Sequence, residues 1–189
     1  TASSTNAAGG GASSYTWRLN LNFRLTIIFG LCLLVVACSK TQPPSVPEPK
    51  RGVTSTGVTK VTPIGASLAK GQSGDATVRL KIDEGYHVNA NPPTLPYLIP
   101  TQLDITPATG ISVDSITYPT GVTKKFSFSP DQALAVYEGQ TDLKLRLTVA
   151  KTAQTGEHNL SVKLRVQACD DQVCYAPGTL DFTIPVTIK

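Results

Sequence analysis

The sequence predicts an all-β fold, an immunoglobulin-like antiparallel β-sandwich of about seven to eight strands. Apolar residues recur at every second position in four long segments, and Pro and Gly breakers separate those segments at short intervals. No segment keeps a helical apolar period over three turns.

In "DATVRLKID", Ala76, Val78, Leu80 and Ile82 share one face and Thr77, Arg79 and Lys81 the other. Shorter candidates follow at 86–90, 98–105, 111–117 and 134–137, each bounded by Pro or Gly. "DLKLRLTVA" repeats the alternation with Leu143, Leu145, Leu147 and Val149 against Lys144, Arg146 and Thr148. "HNLSVKLRVQA" points Leu160, Val162, Leu164, Val166 and Ala168 inward, and "GTLDFTIPVTI" does so with Leu180, Phe182, Ile184, Val186 and Ile188. Such alternation marks strands with one buried face. Pro185 falls on the outward face of the last strand, which predicts an edge there because proline has no amide donor.

The N-terminal third is of another kind. Residues 25–37, "LTIIFGLCLLVVA", carry no charge and follow Arg18 and Arg24. The run is shorter than the roughly 20 residues a membrane span needs and has the flank and length of an export signal. Its end, "LVVACSK", resembles a bacterial lipobox, which makes Cys38 the lipidated first residue of the mature chain and removes Cys32 with the signal. Residues 1–37 therefore read as a signal peptide with an atypical N-terminal extension. Residues 38–60 read as the lipidated cysteine and a Pro-, Ser- and Thr-rich tether, and residues 61–189 as the folded domain. The formal net charge of +4 is reduced once Arg18 and Arg24 leave. So mild an excess, without basic runs interleaved with aromatics, excludes nucleic acid as a partner class.

Two cysteines remain, Cys169 and Cys174 in "VQACDDQVCYAP". Continuing the alternation of Ser161, Lys163, Arg165 and Gln167 turns Cys169 away from the core as its strand ends and leaves Cys174 on the return side of a hairpin. A bridge closing so small a ring constrains the unfolded chain by only roughly 2 kcal/mol, against nearly 5 for a loop of a hundred residues. Exposed short-range disulfides are also the more reducible kind. Zinc is disfavoured: Cys169, Cys174, His87 and His158 would have to supply all four ligands without a second paired motif. No cofactor motif appears; "TGVTK" at 56–60 lacks the flanking pattern of a phosphate-binding loop.

Three stretches, "EGYHVNANPP" at 84–93, "YPTGVTKKFSFSPDQALAVYEG" at 118–139 and "LRVQACDDQVCYAPGTLDFTIPV" at 164–186, are similar in order and spacing to the N-terminal periplasmic domain of DsbD-type thiol:disulfide interchange proteins. The resemblance covers most of residues 61–189. It implies an immunoglobulin-like fold and dithiol–disulfide exchange at Cys169 and Cys174, with Cys174 as the nucleophile and Cys169 as the resolving thiol, here on a stand-alone lipoprotein of the bacterial cell envelope. It further implies thioredoxin-like periplasmic partners and a membrane electron donor in trans, because the sequence holds neither a polytopic segment nor a thioredoxin-like domain. His87 and Asn89, by position in the family pattern, look toward the pair; on residue type alone they suit an exposed strand edge equally. Phe126 or Phe128 fills the slot of the family's shielding loop. Tyr175 either flanks the disulfide or packs across a strand pair. Asp170 and Asp171 are either turn formers or carboxylates that disfavour thiolate. The competing reading is a non-catalytic immunoglobulin-like binding or assembly lipoprotein with a structural disulfide.

Overall fold

The computed structural model describes residues 47–189. The apolar run, Cys32, Cys38 and the tether up to residue 46 lie outside the described residues. The strands are β1 (Thr59–Ile64), β2 (Ala66–Leu68), β3 (Ser73–Ile82), β4 (His87–Asn89), β5 (Gln102–Thr106), β6 (Ile111–Thr117), β7 (Val122–Phe126), β8 (Ser129–Tyr137), β9 (Gln140–Val149), β10 (Gly156–Val166), β11 (Ala168–Cys169) and β12 (Gly178–Ile188). No helix occurs among the described residues.

The strands form three four-stranded sheets, β1-β3-β9-β6, β2-β12-β10-β5 and β11-β4-β8-β7. Every pairing between named strands is antiparallel except the parallel contact of β12 with β2. The first two sheets share one core, in which Val78, Leu80, Leu143, Leu145, Leu147, Leu160, Leu164, Ile184 and Val186 have no exposed surface. The third sheet carries a smaller cluster of Phe126, Leu134 and Val136 against Leu95, Leu98 and Phe128. The β-sandwich is therefore as the alternation predicts, with every inward residue of β3, β9 and β10 buried.

Five details depart from the sequence reading. There are twelve strands among the described residues, not seven or eight, because short edge segments such as β1, β2 and β7 show little apolar alternation. β7, "VTKKF", is exposed over its first four residues. The strand expected at 98–105 begins only at Gln102, since Pro92, Pro93, Pro96 and Pro100 deny the preceding segment ladder donors. Leu180 and Phe182 are only half-buried. The last strand is an edge only in part: β10 flanks all of it, while β2 covers residues 186–188 on the other side. Pro185 stands just before that second partner. Gly65 passes so close to the Pro185 carbonyl that a Cβ there would lie 2.0 Å from the oxygen. Finally, the chain is packed well before residue 61. Ser55, Val58 and Thr59 are buried, so the fold absorbs part of the segment read as tether.

Candidate functional site

Cys169 and Cys174 are joined as a disulfide at the far end of β10, with Cα atoms 3.9 Å apart. After Val166 the strand breaks at Gln167 and resumes as β11. Ala168 keeps its inward place in the main core, as the alternation predicts, and Cys169 turns to the other face. It is nonetheless buried, 1% exposed, because that face carries His87 and the Phe126 stacked on it. Cys174 is half-buried. The two cysteines oppose each other as an antiparallel bridge. On one side of it Asp170 N–H donates to the Val173 carbonyl at 2.9 Å, and on the other Tyr175 N–H donates to the Ala168 carbonyl at 2.8 Å. The pair thus occupies a non-hydrogen-bonded position, where facing side chains approach most closely.

The turn between them is built by Asp170. Its Oδ1 accepts from the N–H of Gln172 at 2.9 Å and of Val173 at 3.0 Å, and its Oδ2 accepts from the Tyr175 hydroxyl at 2.9 Å. Lys50 Nζ lies 3.3 Å from the same Oδ2 and 5.4 Å from the centre of the Tyr86 ring. Burial pushes the Asp170 carboxyl up, but these donors outweigh it and hold it at about 2. Burial, and then the adjacent carboxylate, push the Tyr175 hydroxyl up to about 12. Asp170 is therefore a turn former by its contacts and a fixed negative charge by its ionisation. Asp171 is exposed; its carbonyl accepts from both the backbone amide and the hydroxyl of Ser127, which ties the β7–β8 loop to the disulfide hairpin.

His87 faces Cys169 directly in the β4–β11 register, so the two side chains lie on one side of the sheet. It is 1% exposed and stacks on Phe126 at 3.9 Å between ring centres, 17° from parallel. A register shift between Lys124 and Phe126 re-aims the chain after four exposed residues and brings Phe126 inward. Phe128 continues the stack 5.3 Å from Phe126. His87 Nε2 is buried with no hydrogen-bond partner among the described residues. Burial lowers the imidazole to about 4, with Lys124 adding to the effect and Glu138, Asp171 and Asp170 opposing it. Asn89 lies two residues along the same face, buried. Its Nδ2 donates to the Ile99 carbonyl at 2.9 Å, and its own carbonyl accepts from Thr101 Oγ1 at 2.7 Å. Asn89 thus anchors the 91–101 loop.

That loop forms one wall of an open cleft of about 280 Å³ at the disulfide, lined by Tyr97, Leu98, Phe128, Leu134, Gln167 and Cys174. Tyr97 is 74% exposed at its rim. A roomier concavity over β5, β10 and β12, lined by Asp104, Lys163, Asp181 and Phe182, contains no thiol. His158 is not brought to the site; its Nε2 is 2.9 Å from the Gln154 carbonyl. Among the described residues no group of three or more His, Cys, Asp or Glu is placed to hold a metal.

The structure therefore gathers Cys169, Cys174, Asp170, Tyr175, His87, Phe126 and Phe128 and sets Asn89 behind them and Asp171 outside. The sequence reading omitted Lys50, Ser55, Tyr86 and Tyr97. Tyr86 stands beside His87 in "EGYH" and was legible by proximity. Ser55 was not, because it lies in a stretch without periodicity.

Residues 58–185 match the family model described as thiol:disulfide interchange protein DsbD, N-terminal. No curated protein matches the chain. Among solved structures it is similar to the N-terminal periplasmic domain of ScsB from Proteus mirabilis, at 12% identity and a TM-score of 0.45, over 68% of this chain and 45% of that one. It is also similar to the seventh ScaB type I cohesin from Pseudobacteroides cellulosolvens, at 11% identity and a TM-score of 0.42, over 69% of this chain and 92% of that one. The chain thus spans less than half of the ScsB structure.

Proposed function

Because the chain belongs to the family of the N-terminal domain of the thiol:disulfide interchange protein DsbD, we propose that Cys169 and Cys174 are its working pair. They cycle between disulfide and dithiol and pass reducing equivalents to or from thioredoxin-like periplasmic proteins, as a protein-disulfide reductase type of activity. The observation that carries this reading is the unequal access of the two sulfurs: Cys174 lines an open cleft while Cys169 is 1% exposed. A partner's sulfur therefore meets Cys174 first.

In the donating direction the Cys174 thiolate attacks the partner's disulfide, forming a mixed disulfide and releasing one partner thiol. Cys169, losing its proton, then attacks Cys174 Sγ. The mixed bond breaks, the Cys169–Cys174 bond re-forms, and the partner leaves as a dithiol carrying both electrons. Phe128, on the wall of the cleft, is the shield over the pair. The Asp170 carboxylate, ionised down to about pH 2, keeps negative charge beside the thiols and disfavours premature thiolate. In the same reading Cys38 carries a lipid anchor in the cell envelope, and electrons come from a membrane donor in trans.

Cys169→Ser should trap a covalent complex with a thioredoxin-like partner, since nothing remains to resolve it, and Cys174→Ser should trap little. Non-reducing electrophoresis reads both. Equal trapping by the two variants would sink the role assignment, and no trapping by either would move the chain to the binding-lipoprotein reading.

A further inference from the structure

The ladder beside the disulfide is incomplete in one place, and a side chain from a distant segment completes it. At the rung next to the cysteines Tyr175 N–H donates to the Ala168 carbonyl, but the return bond from Ala168 N–H does not go to Tyr175. It goes instead to Ser55 Oγ at 2.9 Å. The Ser55 hydroxyl in turn donates to the Ala176 carbonyl at 2.6 Å. One hydroxyl, 1% exposed, thus links the residue before Cys169 to the residue two after Cys174. The segment that carries it is seated on both sides. Val58 enters the main core, and Thr56 packs against Gly178, where a Cβ would meet its methyl at 2.6 Å. Lys50, on the same segment, reaches the Asp170 carboxylate inside the ring.

We propose that Ser55 is a positioning residue for the Cys169–Cys174 pair, a cross-brace that holds the two flanks of the hairpin at disulfide-closing distance. The proposal rests on the redox reading given above. Its physical basis is linkage: whatever holds the sulfurs close raises their effective concentration and favours the disulfide over the dithiol. By reciprocity the closed disulfide strengthens the brace. Removing the hydroxyl leaves a buried donor and a carbonyl unpaired, a loss that the hairpin relieves by splaying, which only the dithiol form permits.

The test is a glutathione redox titration of the purified full chain, with Ser55→Ala and Val58→Ala compared with wild type. Ser55→Ala should move the equilibrium toward the dithiol about three- to tenfold, the worth of one net hydrogen bond. Val58→Ala weakens the same segment without touching the rung and should lower thermal stability while leaving the equilibrium in place. Should Ser55→Ala fail to fold, hydrogen exchange at the Ala168 amide of the wild type asks the same question. Exchange should be at least about threefold faster in the dithiol form than in the disulfide form. A wild-type disulfide that no glutathione buffer opens overturns the redox reading and the brace with it. A wild type that titrates while Ser55→Ala titrates identically overturns the brace alone. So does an equal shift from Val58→Ala, or an Ala168 amide equally protected in both redox states.

Discussion

His87 makes stability depend on pH between the ordinary imidazole value and its lowered value in the fold. The imidazole is buried, stacked on Phe126, and lowered from its ordinary 6.5 to about 4, chiefly by burial. Above pH 6.5 neither the folded nor the unfolded chain protonates it, and below about 4 both do. Between those values only the unfolded chain binds the proton, so stability falls as pH falls through the window. At about 1.4 kcal/mol per pH unit, the interval from 6.5 to about 4 amounts to roughly 3 kcal/mol. Most of it is lost by pH 4.5, on the order of 2 kcal/mol or more. Asp170 is held down at about 2 against an ordinary 3.8; its contribution is present above 3.8 and is lost only as pH falls from there. Urea unfolding between pH 7 and 4.5, compared with a His87 variant, therefore reads the histidine's share. His87→Phe keeps an aromatic ring against Phe126 and should flatten the dependence across that range. A slope unchanged by His87→Phe would refute the assignment of a buried neutral imidazole.

Cys169→Ser combined with Cys174→Ser should lower stability by roughly 2 kcal/mol and leave a cooperative unfolding transition, whereas Leu164→Ala in the fully buried core should cost roughly 2 to 5 kcal/mol. An unfolded double-cysteine variant would instead mark the bridge as a staple. Asp170→Asn should cost about 1 to 3 kcal/mol by weakening its bonds to Gln172, Val173, Tyr175 and Lys50 and should speed alkylation of the reduced thiols at neutral pH. Asp171→Asn, at an exposed position, should stay within about 0.5 kcal/mol of wild type. Phe128→Ala should raise the alkylation rate of reduced Cys174 several-fold; an unchanged rate in stopped alkylation assays would remove Phe128 as the shield.

The sandwich was legible in the sequence because a strand with one wet face must alternate, and β3, β9 and β10 do so without interruption. The cysteine pair was legible for a related reason: spacing and ring size are properties of the chain itself. Edge strands escaped because β7 has no buried face over most of its length and so no reason to alternate. Alternation alone did not reveal that Cys169 is buried: Ala168 stays in the main core, and the opposite face, to which Cys169 turns, is closed by the His87 it meets across the sheet and the Phe126 stacked on it. Tertiary structure alone decided that His87 would be a buried, unpaired imidazole rather than an edge residue, since that depends on Phe126 arriving from a register shift in another strand. It also decided that Ser55, in a stretch composed like a tether, would bond to Ala168 and Ala176. Those contacts join residues more than a hundred positions apart. Local composition reports how a segment treats water, whereas a hydrogen bond across such a distance depends on where the rest of the fold delivers its partner.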